Sequence, residues 1–390
     1  MSGYNDFLDG VYNEETGEFD NKKAEDKAFS KKESFNIILL GATGVGKSAL
    51  VNAMFGDTVV KSDVGTPVTQ KLEKIKIPKK GITLWDTKGI ESKDYKGTIE
   101  QLRSDIENAF DSASNEGDLP HLGWLCIDSS GSRIEPRDLE LINLVKPYNI
   151  PLVIVFTKSI FDEDGKFASF AENEINKTEK DYVNGRFVKV NSVEQKFGPH
   201  IIPADGLDKL LDISLDCLPL GKDGARQALK KAQMVKMGVR LDAMISAAER
   251  KVHMASAAAG AVGASPIPGS DAPLIAAIQS TMIYKINAEF ELDSETSNIT
   301  AIVTGILGIT AVAQVGKTVV SNALKFIPGV GTLLGGAISA TTAFGLTEAV
   351  GHAYIKALTH YYNHELGIVE LPSNVSAMLS IFKEYFKFKK

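Results

Sequence analysis

The residues that most plainly carry chemistry stand together early in the chain. Gly41-Ala42-Thr43-Gly44-Val45-Gly46-Lys47-Ser48 follows the apolar run Phe35–Leu40 and precedes the helix-compatible Ala49-Leu50-Val51-Asn52-Ala53-Met54. Glycines let successive backbone N–H groups turn inward around an anion, and the new helix adds its positive N-terminal end. A lysine here reaches the outer phosphates of a polyphosphate chain, and a serine hydroxyl ligates Mg²⁺. The stretch from Gly41 to Ala49 is therefore a candidate nucleotide-binding loop, with Lys47 as a catalytic cation and Ser48 as a metal ligand.

A second group follows in Ile82-Thr83-Leu84-Trp85-Asp86-Thr87-Lys88-Gly89. An apolar strand ending in Asp-x-x-Gly places a carboxylate, Asp86, to hold Mg²⁺ through water. The Gly89 N–H then senses the terminal phosphate. Between the two groups lies Val64-Gly65-Thr66-Pro67-Val68-Thr69. A threonine there completes the metal shell and orders a switch segment; Thr69 is the first choice and Thr66 the second. Lys47, Thr69 and Gly89 form the candidate catalytic set, and Ser48, Thr69 and Asp86 the candidate Mg²⁺ set.

These groups need a scaffold that brings strand ends to one edge. Apolar runs at 35–40, 72–77, 82–85, 122–127, 152–156 and 187–190 alternate with helix-like stretches near 47–55, 95–114, 135–146, 166–180 and 205–218. That alternation predicts an α/β fold with a largely parallel sheet covered on both faces. The run at 72–77 alternates apolar with charged residues and reads as a half-exposed strand. After Pro219 the pattern turns to helices rich in Ala, Gly, Ser and Thr, with no strand pattern from 223 to 370 and no repeat at a fixed period.

The expected division is an acidic, disordered arm at 1–34, an α/β domain at 35–220, an α-helical domain at 221–370 and a basic aromatic tail at 371–390. Length supports more than one core, since the chain has 390 residues. Residues 1–222 carry 37 acidic against 28 basic groups and residues 223–390 carry 12 against 15. An acidic first half argues against a broad nucleic-acid footprint. Two cysteines cannot build a disulfide framework or a four-thiolate metal site. With no apolar signal segment in the first 34 residues, the expected location is cytoplasmic.

The order of phosphate loop, threonine loop and Asp86-Thr87-Lys88-Gly89 resembles the Era-like and septin-like small GTPases. The loop from Ala42 to Ser48 is also similar to that of the immunity-related GTPases. Gly263-Ala264-Ser265-Pro266-Ile267-Pro268-Gly269-Ser270-Asp271-Ala272-Pro273 resembles a signature of bacterial GTPases that carry a C-terminal helical domain of unknown function. Phe326-Ile327-Pro328-Gly329-Val330-Gly331 with Leu334-Gly335-Gly336-Ala337-Ile338-Ser339 fits the same group. The resemblance implies a Ras-like P-loop GTPase domain followed by an all-α domain, GTP and GDP as ligands, Mg²⁺ as cofactor, and slow hydrolysis that switches the helical half. A homodimer across the nucleotide face is a further implied arrangement.

Two departures bear on this. Guanine recognition in that superfamily uses [Asn/Thr]-Lys-x-Asp after a strand; here Thr157-Lys158-Ser159-Ile160 follows 152–156. Thr157 and Lys158 are candidate base contacts, but Ile160 stands where a carboxylate would accept the guanine N1–H and N2–H₂. Asp162 or Asp164 would have to reach in. Asn191 and Ser192 occupy the place of the last base-contacting loop. The position after Gly89 is Ile90, which cannot orient a water, so turnover is expected to be slow without a second copy or partner. Arg133 is a candidate trans-acting group.

The helical half holds two charge-free stretches, Ile299–Gly316 and Phe326–Thr347. Both have the length of a membrane span, yet they are rich in small residues and carry Gln314 and, between them, Asn322. A buried hairpin and a conditionally inserting one both stand as readings. Phe382, Tyr385, Phe386 and Phe388 with Lys383, Lys387, Lys389 and Lys390 have the make-up of a peripheral anchor at an anionic inner-membrane surface. His352, His360 and His364 read as structural.

Overall fold

The computed structural model describes residues 3–56, 72–87, 95–113, 116–162, 164–219, 224–264, 271–294, 298–315 and 339–386. The expected disordered arm is the first correction. It folds as helix α1 (Gly3–Leu8), a hairpin of β1 (Tyr12–Asn13) and β2 (Glu18–Phe19), and helix α2 (Asn21–Ser30). Asp20 caps α2 by accepting the Lys23 N–H at 2.9 Å. Phe7, Leu8, Val11, Ala24 and Ala28 are buried. The acidic residues line the outside, so their density concealed a narrow apolar seam.

The chain divides into two compact units: Glu33–Arg240, and Met1–Lys32 together with Leu241–Lys390. The first is α/β. Its six-stranded sheet has the order β4-β5-β3-β6-β7-β8, with β3 (Phe35–Leu40), β4 (Leu72–Ile77), β5 (Ile82–Thr87), β6 (Leu122–Asp128), β7 (Leu152–Thr157) and β8 (Phe187–Lys189). All neighbours are parallel except β4, which runs antiparallel to β5. As its alternating sequence predicts, β4 is the half-exposed edge.

Strand β3 is buried along its whole length, and its side chains alternate between two cores. Phe35, Ile37 and Leu39 pack with Leu50, Val51 and Met54 of α3 (Lys47–Phe55). Ile38 and Leu40 pack on the other face with Ile99, Leu102 and Ile106 of α4 (Tyr95–Asp111). Helices α5 (Pro136–Val145), α6 (Lys166–Val183), α7 (Leu207–Asp216) and α8 (Gly224–Ala232) complete the two covering layers.

The expected boundary at 220 is also corrected. Ala225, Ala228, Leu229 and Ala232 of α8 belong to the same core as Phe35 and Ile37. The buried Lys231 ammonium lies 3.3 Å from Glu33, and the Met234 N–H donates to the Met54 carbonyl at 2.8 Å. A second unpredicted feature is the small hairpin of β9 (Gln195–Phe197) and β10 (His200–Ile202).

The other unit is helical: α9 (Met237–Gly263), α10 (Asp271–Glu289), α11 (Ile299–Val315), α12 (Ala340–His360) and α13 (Val375–Tyr385), with α1 and α2. The division between the units falls inside α9. Gly351 of α12 meets Val252 of α9 so closely that a Cβ would lie 2.4 Å from its side chain. Lys285 of α10 donates to the Phe7 carbonyl at 2.9 Å and lies over the Phe7 ring at 3.8 Å. This is why the N-terminal segment belongs here despite its distance in sequence. Among the histidines, His352 and His253 both contact Glu348, at 2.9 and 2.8 Å.

This unit also contradicts the expectation of no strands after 223. Helix α12 is followed by a hairpin of β11 (Tyr362–Asn363) and β12 (Ile368–Val369), then α13. The order helix, hairpin, helix is the same as in residues 3–30. Tyr12-Asn13-Glu14-Glu15-Thr16-Gly17 and Tyr362-Asn363-His364-Glu365-Leu366-Gly367 share Tyr-Asn-x-Glu-x-Gly. Both asparagine Oδ1 atoms accept the N–H groups two and three residues on, at 2.9 and 3.2 Å in the first copy and 2.9 and 3.1 Å in the second. Both glycines have φ near +70°, at +72° and +65°. Among the described residues no helix is long and apolar enough to cross a membrane. Residues 265–270, 316–338 and 387–390, which carry parts of the sequence signatures and the tail, lie outside the described residues.

Candidate functional site

The strand β3 delivers its C-terminal end to the loop Gly41–Gly46. Gly41 has φ +132°, and a Cβ there would lie 2.5 Å from the Cys126 carbonyl oxygen of β6. Gly44 and Gly46 also take positive φ, +78° and +102°. Gly46 is the N-terminal cap of α3 and offers no side chain of its own there. The loop thus presents backbone amides at a helix N-terminus, the arrangement that holds a phosphate.

Lys47 begins α3 and folds back over the loop, donating to the Gly41 and Ala42 carbonyls at 2.8 and 3.0 Å. Burial holds its ammonium below the usual lysine range, and the charge of Asp86 acts against that shift. The electrostatic tie places Asp86, at the end of β5, in the neighbourhood of Lys47; its register partner on β3 is Leu39. A polyphosphate supplies the negative oxygens that would replace two carbonyl acceptors. Burial likewise raises the neighbouring Cys126 thiol to about 12, which leaves it an inert wall.

The donor set suits Mg²⁺. Ser48 offers a hydroxyl and Asp86 a carboxylate, both hard oxygen ligands. Bound there, Mg²⁺ would neutralise developing charge between the outer phosphates. Thr69, Thr66, Lys88, Gly89 and Ile90, the remaining parts of the expected switch and catalytic set, lie outside the described residues. Among the described residues no cluster of three His, Cys, Asp or Glu side chains forms a separate metal centre.

The residues expected at the base end come from β6, β7 and the loop after β8. Thr157 is buried, and its hydroxyl lies 2.6 Å from the Val45 carbonyl and 3.1 Å from that of Ile127. It therefore latches the loop after β7 to the phosphate loop. Lys158 takes a left-handed φ of +53° and pairs with Asp128 at 2.6 Å. Asp128 is the partner of Lys158 that sequence reasoning missed. It ends β6 one position past the apolar run, beside Thr157 in register. Burial pushes its carboxyl up, but hydrogen bonds from Lys158 and Ser130 outweigh this and hold it below the usual carboxylate range.

The other expected base contacts fare differently. Ile160 sits in a single 3₁₀ turn, Ser159–Phe161. Asp162 is buried and accepts the N–H groups of Phe167 and Ala168 at 2.9 and 3.0 Å, capping α6. Asp164 pairs with Lys166 at 2.6 Å. Asn191 is buried and gives its side-chain amide to the Val193 and Pro203 carbonyls, both at 2.9 Å. Its backbone N–H goes to Asp205. Asn191 thus pins the base of the β9–β10 hairpin, and Ser192 follows it into that hairpin. Arg133 is exposed and pairs with Glu135 at 3.2 Å.

Residues 36–158 match the protein family described as 50S ribosome-binding GTPase. No curated protein matches the chain in sequence. Among solved structures, Era from Aquifex aeolicus bound to GDP and aluminium fluoride is 18% identical, over 62% of this chain and 70% of that one, with a TM-score of 0.35. A septin GTPase domain from Chlamydomonas reinhardtii is 16% identical, over 52% and 95%, with a TM-score of 0.34. At such scores the fold rests on the strand order and loop geometry above, not on these likenesses. The phosphate loop, the Asp86 strand end and the Thr157-Lys158 loop all lie within the matched span, so residues 36–158 are similar to that family's GTPase domain.

Proposed function

We propose that the protein is a nucleotide switch that binds GTP and GDP with Mg²⁺, hydrolyses GTP slowly and uses the helical unit as its output. The observation that carries this reading is the half-buried Lys47 ammonium, folded onto the Gly41 and Ala42 carbonyls within a loop of three positive-φ glycines. A lysine held this way exchanges neutral acceptors for phosphate oxygens without reorganising the loop. Ser48 and Asp86 would hold the metal, with Thr69 completing the shell in the triphosphate state. Thr157 and Lys158 would support the purine.

Slow turnover follows from Ile90. An aliphatic side chain cannot orient the attacking water, so acceleration would come from a second copy across the nucleotide or from a partner protein. The same residue favours a second reading, a nucleotide-binding scaffold without useful turnover. Phosphate release from GTP under multiple-turnover conditions separates the two. Steady release abolished by Lys47→Ala supports the switch; binding without release supports the scaffold. Failure of GTP and GDP to bind at all would end both readings.

A further inference from the structure

Guanine differs from hypoxanthine by one group, the 2-amino. Reading it requires an acceptor at the N1–H and N2–H₂ edge, and a carboxylate provides two oxygens for this. The base loop of this chain offers Ile160 where such a group would stand, in the 3₁₀ turn Ser159–Phe161. The two aspartates described nearby are committed elsewhere. Asp162 uses one oxygen for the Phe167 N–H and the other for the Ala168 N–H, both from the first turn of α6, and Lys189 lies 3.8 Å from it. Withdrawing that carboxylate would leave two buried amides unsatisfied. Asp164 points to Lys166 in solvent.

Lys158, by contrast, is firmly placed. Asp128 fixes its ammonium at 2.6 Å, and Ser130 fixes Asp128 through its N–H at 2.9 Å and its hydroxyl at 2.6 Å. A lysine held by its own side-chain partner supports a purine by packing, and packing does not distinguish a 2-amino group from hydrogen.

We infer that this site accepts 6-oxopurine nucleotides with or without the 2-amino group, so that inosine nucleotides are ligands equal to guanine nucleotides, with Ile160 as the residue that sets this breadth. The inference rests on the nucleotide-binding reading above and deepens it. Asp128 acts as a positioning residue for Lys158.

The test is equilibrium binding of GDP and IDP to the full-length protein in Mg²⁺. The expected dissociation constants agree within about threefold, where a paired charged acceptor would separate them by about tenfold or more. Ile160→Asp should tighten GDP over IDP by about tenfold. Asp128→Asn should weaken both alike and leave their ratio unchanged, with Asp128→Glu recovering part of the loss. A tenfold preference of the unaltered protein for GDP would overturn the inference while leaving the nucleotide switch standing. An Ile160→Asp protein with an unchanged ratio would overturn the role given to Ile160. If neither nucleotide binds, the underlying reading fails instead.

Discussion

The Thr157 hydroxyl donates to the Val45 carbonyl across 2.6 Å, joining the base loop to the phosphate loop inside the core. Two segments that are far apart in sequence are thereby held as one surface.

Replacing Thr157 with Val keeps the shape and removes the donor. Val45 and Ile127 would then lose a buried partner, at a cost of about 1–2 kcal/mol in stability. Nucleotide affinity should fall about tenfold, while Thr157→Ser retains most of it. Isothermal titration of GDP on the three proteins measures this directly. Equal affinities would show that the latch has no bearing on binding.

Gly41 is intolerant for two independent reasons. Its φ of +132° is strained for any other residue, and a Cβ would stand 2.5 Å from the Cys126 carbonyl. Gly41→Ala should destabilise the α/β unit by roughly 2–4 kcal/mol and abolish nucleotide binding. The midpoint of urea unfolding reports the first effect. A protein of unaltered midpoint would contradict the packing described.

Much of this site was legible because local sequence dictates it. Glycines at fixed offsets, a lysine and a serine after an apolar strand specify a phosphate loop wherever they occur. The strands at 35–40, 122–127 and 152–156 were readable because burial on both faces leaves continuous apolar runs. Asp128 was not, since a carboxylate ending a strand has no meaning until Lys158 is brought beside it. The N-terminal helices escaped notice for a similar reason. Phe7, Leu8 and Val11 form too short an apolar seam to stand out among acidic residues, and what covers it includes α10, more than 260 positions away. The repeated Tyr-Asn-x-Glu-x-Gly hairpin has no fixed period because the α/β unit lies between its copies.

That packing gives a third prediction. Phe7→Ala removes a buried ring and the face under the Lys285 ammonium, and should cost the helical unit about 3–5 kcal/mol. The α/β unit should stay folded and still bind GDP, because it has its own cores. A Phe7→Ala protein that no longer binds GDP at all would contradict the separation of the cores.

Lys285 sets a pH dependence. Burial lowers its ammonium from 10.5 to about 8. Between these values the unfolded chain binds more protons than the folded one, so stability rises with pH from about 8 to about 10.5. Its share of that rise is on the order of 1–3 kcal/mol. Lys285→Met should gain stability at pH 8 relative to the unaltered protein and flatten the rise. Unfolding midpoints of the two proteins at pH 8 and pH 10 check this. Parallel profiles would show that Lys285 is not desolvated.

The central claim is that Gly41–Ser48 holds the phosphates of a guanine nucleotide. The most direct measurement is the dissociation constant of GDP in Mg²⁺ for the unaltered protein and for Lys47→Ala. Tight binding that falls at least about a hundredfold in the variant is the predicted result, as expected for loss of a charge-assisted contact to phosphate. Equal affinity in the two proteins would contradict the site as described.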